Sequence, residues 1–175
     1  MKQFVKVIYG FLLFLSCISC IDEKSVVEED VVVAGSKLPD FNVLMNNGTV
    51  VTGQALRDAT SLIMFFHTGC PDCRKALPSV QRMYDEYVSR GVAFTLISRE
   101  EEDASIAIYW EEQGFDMPYS AQSDRKVYEL FAHRRVPRIY ISEPGGIVRY
   151  VFTDDPVPDV DALIEALEQV LSLSK

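Results

Sequence analysis

Histidine and cysteine are scarce in this chain: two and four among 175 residues. A zinc site usually takes four ligands, mostly of those types, so little metal chemistry is open to it. Basic residues are the minority charge, 17 against 26 acidic ones, leaving a formal charge of −9. No Lys/Arg-rich stretch interleaves with aromatics, which argues against nucleic-acid binding. Past the N-terminus no apolar run is long enough to span a bilayer. There is no internal repeat and no low-complexity segment. What is present suits one packed domain: 48% apolar and 25% charged residues.

Lys2 and Lys6 open the chain and lead into a nearly unbroken apolar run, Val7 to Ile18. The run is too short for a membrane span and suits the leader of an exported protein. It closes on Leu15-Ser16-Cys17-Ile18-Ser19-Cys20, which resembles a bacterial lipobox. That resemblance implies cleavage before a cysteine that becomes the lipidated first residue. Cys20 is preferred to Cys17: the charged Asp22-Glu23-Lys24 follow it, whereas cleavage at Cys17 leaves Ile18 and Ile21 in the tail. A plain secretory signal is the alternative. The expected division is a leader over 1–19, a tether over 20–36 and a folded domain over 37–175. Val31-Val32-Val33 soften the inner boundary, because they also suit an edge strand.

Two cysteines then remain for the folded part, Cys70 and Cys73. A bridge across a two-residue gap closes almost no loop and staples nothing, so the pair reads as chemistry rather than scaffolding. Around it, Phe41 to Met45 and Thr49 to Thr52 flank Asn46-Asn47-Gly48, a hairpin turn signal. Ser61 to Phe66 reads as a strand buried on both faces, and Val92 to Ser98 as a second. Helices are expected over Arg74–Ser89 (with Pro78 inside), Glu101–Gln113, Arg125–His133 and Asp159–Leu173. Ile139–Ser142 and Ile147–Phe152 form a hairpin around Glu143-Pro144-Gly145-Gly146. The order predicts an α/β protein with a central mixed sheet and helices packed on it.

Cys70-Pro71-Asp72-Cys73 follows a buried strand and opens a helix. Free N–H groups and partial positive charge at a helix N-terminus stabilise a thiolate. Cys70 faces solvent there, and Cys73 lies one shielded turn further in. Cys70 is therefore the expected nucleophile and Cys73 the residue that resolves the mixed disulfide. Pro71 fits the first turn, where no N–H is required. Two other readings compete: a zinc site completed by His67 and His133, and a pair of inert buried thiols.

The stretch Phe65-Phe66-His67-Thr68-Gly69-Cys70-Pro71-Asp72-Cys73, with Pro78 in the helix and Val136-Pro137 ahead of a hairpin, resembles the thioredoxin superfamily. It looks closest to the membrane-tethered TlpA/ResA-like branch of bacterial envelopes, from Gly35 to the C-terminus. The resemblance implies a thioredoxin-like fold, a central mixed β-sheet flanked by helices with an N-terminal β-hairpin extension. It implies disulfide exchange with protein substrates and a redox partner. No cofactor is expected beyond the Cys70–Cys73 disulfide, and no metal. It also implies a cis Val136–Pro137 bond beside the dithiol and backbone hydrogen bonds from Val136 to an extended substrate segment.

The sequence departs from that pattern at three places. Ala76 and Met64 stand where family members carry carboxylates that assist proton transfer, and Gly69 replaces a tryptophan. His67 is the local candidate for proton handling, or else a strand-end histidine held by a backbone hydrogen bond. Asp72 opposes the helix dipole and should make the couple more reducing, with Asp72→Asn shifting it by about 30 mV. Arg74 pulls the other way. His133-Arg134-Arg135 form a basic patch, read as a helix C-terminus, a receiving face for an acidic substrate, or an offset to Asp72. The function expected is an envelope thiol–disulfide oxidoreductase, more reductase than oxidase. A peroxiredoxin-like peroxidase shares the hairpin layout, but His67 stands where its threonine belongs. A non-catalytic thioredoxin-like binding module at the membrane is the third reading.

Overall fold

The computed structural model describes residues 30–173. The leader over 1–19, the lipidation candidates Cys17 and Cys20, and the tether as far as residue 29 lie outside the described residues. The expected hairpin is present as β1 (Asn42–Leu44) and β2 (Val50–Thr52), an antiparallel pair standing apart from the main sheet. Gly48 closes its turn at φ 83°, a conformation that glycine adopts without steric cost.

The main sheet has five strands: β3 (Ser61–Phe66), β4 (Ala93–Ser98), β5 (Tyr119–Ser120), β6 (Arg138–Ser142) and β7 (Val148–Phe152). Their spatial order is β5-β4-β3-β6-β7. β3 runs parallel to β4 and antiparallel to β6. All six of its residues are buried, as an unbroken apolar run at the centre of a covered sheet requires. Phe65 packs edge-on or tilted against Tyr128, Phe131 and Tyr140, tying β3 to β6 and to the segment that precedes β6. Among the described residues four α-helices pack with the sheet: α1 (Pro71–Tyr87), α2 (Asp103–Gln113), α3 (Lys126–Glu129) and α4 (Val160–Leu173). α4 buries Leu163, Ala166, Leu167 and Val170 against α1 and β6. Pro78 lies within α1. No helix among the described residues is long and apolar enough to cross a membrane.

Two expectations fail for one physical reason. The sequence pattern ends the tether at residue 36 and the helix before Pro137 at His133. Instead, residues 30–36 are part of the domain, and α3 stops after a single turn. The backbone N–H groups of Val31 and Val32 donate to Phe131 O at 3.0 and 2.9 Å, and Asp30 bridges Ala132. Once its carbonyl is taken by the N-terminal segment, Phe131 contributes no further helical turn, and its ring drops into the aromatic core. Val32 is buried with it.

Asp30 makes a second contact of consequence. Its carboxylate pairs with Arg138, which is 1% exposed on β6 and also donates from Nε to Arg134 O at 2.9 Å. A buried guanidinium needs such a partner, since removing a charge from water costs several kcal/mol. Sequence patterning places Arg138 in a strand but carries no sign that it points inward.

Candidate functional site

β3 delivers the chain to the loop His67-Thr68-Gly69, and Cys70 follows as the residue that caps α1. Pro71 occupies the first helical position, where its missing N–H costs nothing. Cys70 is half-buried and Cys73 is 0% exposed; both are free thiols. Burial pushes the Cys73 thiol far above its ordinary range, against a backbone hydrogen bond at His67; the neighbouring Cys70 raises it further, and the Arg99 charge lowers it. Cys73 is therefore held as a neutral thiol behind Cys70.

Cys70 Sγ donates to Val136 O at 3.3 Å. The Val136–Pro137 bond is cis, and so is Asp155–Pro156, which no pattern in the sequence announces. An open cleft of about 470 Å³ lies in front of the thiol, lined by His67, Gly69, Cys70, Arg99, Arg135 and Val136. His67 and Val136 thus share the cleft with Cys70. His133, Arg134 and Arg135 do not end a helix: they lie in the loop between α3 and β6, and only Arg135 lines the cleft. Among the described residues no group of three His, Cys, Asp or Glu is placed to hold a metal.

Gly69 has a steric role. A Cβ there would lie 3.1 Å from both Cε1 and Nδ1 of His67, tighter than ordinary contacts, so glycine lets the ring fold over the loop. His67 Nδ1 accepts from Gly69 N–H at 2.9 Å, which leaves Nε2 as the N–H side of a neutral ring. Glu101 Oε2 lies 3.8 Å from the same Nδ1. Glu101 is the residue that sequence reasoning missed. The sequence pattern starts a helix at Glu101, but α2 begins at Asp103, and Glu101 is buried. Its carboxylate accepts from the backbone N–H of Thr68 at 2.8 Å and from the Thr68 hydroxyl. A buried carboxylate thus stands one residue from His67, though Ala76 and Met64 supply none. Nothing in Arg99-Glu100-Glu101-Glu102-Asp103 marks one acid as buried.

The charge of Asp72 is shared more than expected. Its carboxylate accepts from Lys75 Nζ at 2.8 Å at the protein surface. Arg74 turns away from it, donating from Nε to Thr68 O and covering the Tyr109 ring. Lys75 thus stands beside the charge expected to modulate the couple. Asp72→Asn is expected to make the couple more oxidising by well under about 30 mV, the shift equal to a tenfold change in equilibrium. Equilibration with glutathione buffers measures it, and a shift of 30 mV or more would show Lys75 to be no screen.

A mixed sheet of this order, with Cys-x-x-Cys opening the helix after its central strand and Val136-Pro137 facing the thiol, defines a thioredoxin-like protein. Solved structures agree. A thioredoxin-family thiol:disulfide interchange protein of Chlorobium tepidum gives a TM-score of 0.68 at 19% identity, over 80% of this chain and 99% of that one. The thioredoxin domain of a Bacteroides vulgatus thiol-disulfide oxidoreductase gives 0.66 at 21% identity, over 79% and 99%. Residues 34–151 match the AhpC/TSA family, and the chain belongs to that family. Among curated relatives, the thiol-disulfide oxidoreductase ResA of Bacillus subtilis is 24% identical over 119 residues, 68% of this chain and 66% of ResA. The thiol-disulfide oxidoreductase YkuV of the same organism is 27% identical over 108 residues, 59% of this chain and 73% of YkuV.

Proposed function

We propose that the protein is an exported thiol–disulfide oxidoreductase of the cell envelope, held to a membrane by a lipid on Cys20 and reducing protein disulfides. One observation carries the reading: a reachable Cys70 thiol at the start of α1, backed by the wholly buried Cys73. The Cys70 thiolate attacks one sulfur of a substrate disulfide. A Cys70–substrate disulfide forms, and the other substrate sulfur leaves as a thiolate and takes a proton. Cys73, giving up its proton, then attacks Cys70 Sγ. The substrate's second thiol is released, and the Cys70–Cys73 disulfide carries the two electrons' worth of oxidation. No bound cofactor enters these steps. A redox partner must reduce the disulfide again.

The reducing direction rests on Cys73. A couple oxidises its partners when its reduced form is stabilised as a thiolate. Burial withholds that stabilisation from Cys73. Relatives named thiol-disulfide oxidoreductases support the chemistry, and Lys2, Lys6 and the run ending in Ser19-Cys20 support export and anchoring.

The test is reduction of insulin by the reduced protein, beside consumption of hydrogen peroxide and the mass of the native N-terminus. Insulin reduction, negligible peroxide consumption and an acylated Cys20 are expected. Faster peroxide turnover than insulin reduction would point to a peroxidase. Inactivity in both would leave a binding module. An unmodified N-terminus beyond residue 20 would end the lipid claim.

A further inference from the structure

The loop between α3 and β6 brings Arg135 and Val136 to the cleft. Val136 O accepts from Cys70 Sγ at 3.3 Å, so this loop bounds the space in which a substrate disulfide meets the nucleophile. Residues 133–137 belong to no helix or strand, and side chains pin them instead. Three consecutive carbonyls each accept from one. Arg125 Nη2 donates to His133 O at 2.6 Å, Arg138 Nε to Arg134 O at 2.9 Å, and the Tyr128 hydroxyl to Arg135 O at 2.6 Å.

The three donors are not equally secure. Tyr128 is neutral. Arg125 is partly exposed and pairs with both Glu100 and Glu129. Arg138 is buried, and the carboxylate that pairs with it, Asp30, stands 108 residues earlier in the chain. A buried guanidinium that loses its counter-charge turns towards water, and this one would release Arg134 O as it went. Asp30 does not line the cleft. It enters at the start of the loop, bridging Ala132, while the N–H groups of Val31 and Val32 donate to Phe131 O. The segment that leads into the domain thus holds the loop at its start and, through Arg138, in its middle.

We propose that Asp30 is a positioning residue for disulfide exchange with protein substrates: through Arg138 it holds the Arg134 carbonyl, and with it the Val136 edge along which a substrate segment lies. This rests on the thiol–disulfide reading above. A protein disulfide brings its sulfur on a stretch of backbone, which binds through main-chain hydrogen bonds and so depends on where the loop is held. A small disulfide has only to reach Cys70 and is indifferent to that edge.

The test follows single-turnover oxidation of the reduced full-length protein by insulin and by hydroxyethyl disulfide, well below each variant's melting temperature. In Asp30→Asn the insulin concentration giving half the limiting rate is expected to rise about tenfold, as loss of one or two hydrogen bonds in binding would cause. The limiting rate, and the rate with hydroxyethyl disulfide, should change less than about twofold. Asp30→Glu restores a carboxylate and should recover most of the insulin affinity. Asp30→Ala combined with Arg138→Leu separates placement from stability. It strands no charge, so the fold regains stability, but Arg134 O still lacks its donor and the insulin requirement stays high. Ordinary insulin affinity in that double variant would show that Asp30 acts on stability alone and overturn the proposal. So would an unchanged requirement in Asp30→Asn, or equal losses with the two disulfides. If the unaltered protein reduces neither, the thiol–disulfide reading itself fails.

Discussion

The Cys73→Ser variant is expected to accumulate as a covalent adduct with its substrate protein, and the Cys70→Ser variant is not. Cys70 can be reached from the cleft and can attack, but without Cys73 the mixed disulfide has no internal thiol to release it. In the Cys70→Ser variant the remaining thiol is 0% exposed and kept protonated by burial, so a folded partner's disulfide cannot reach a thiolate. Insulin reduction should fall by at least about a thousandfold in the Cys70→Ser variant, because the nucleophile itself is gone. Non-reducing gels followed by mass spectrometry of the adduct read both outcomes. Adducts with Cys70→Ser and none with Cys73→Ser would reverse the assigned roles.

Asp30→Asn is expected to destabilise the domain by about 3 kcal/mol, the lower end of the cost of breaking a buried ion pair. The lower end applies because Asp30 is 40% exposed while Arg138 is 1% exposed. The substitution leaves Arg138 buried with a carbonyl partner but no counter-charge. For a domain of this size the melting temperature should fall by about 6–12 °C. Asp40→Asn is the control. Its partner Arg57 is mostly covered, but Asp40 is 84% exposed, and such a pair contributes about 1 kcal/mol at most. Equal small losses in the two variants would mean that Asp30 does not neutralise Arg138. Asp30→Ala combined with Arg138→Leu should recover part of the loss, because it leaves no charge stranded.

What was legible in the sequence follows from how far each signal reaches along the chain. β3, β4 and the β6–β7 hairpin show themselves as apolar runs bounded by turn residues, and α1 and α4 as long stretches of helical period. The dithiol is legible because Cys70 and Cys73 are close in sequence and follow β3 directly. β5 is two residues long and carries no pattern of its own; it exists because β4 offers it a free edge. The brevity of α3 and the packing of residues 30–36 depend on each other across about a hundred residues, and neither segment announces the other. Burial of Glu101 and Arg138 has the same character. Each charge is bound by a partner, Thr68 or Asp30, whose proximity only the fold creates. Lys75 is the exception: three residues from Asp72 on a helix, its screening follows from helical spacing alone.

The seating of Asp30 on Arg138 also sets a leash. With an acyl group on Cys20, a tether running to residue 36 would let the domain travel up to about 55 Å from the bilayer surface at full extension. Fixing the chain at Asp30 shortens that limit to about 35 Å, whatever the intervening residues do. On such an anchor the volume open to residue 30 would shrink roughly fourfold, and the domain's local concentration at membrane-bound partners would rise. An enzyme so tied would serve disulfides close to its own membrane and leave those deeper in the compartment to freely diffusing catalysts.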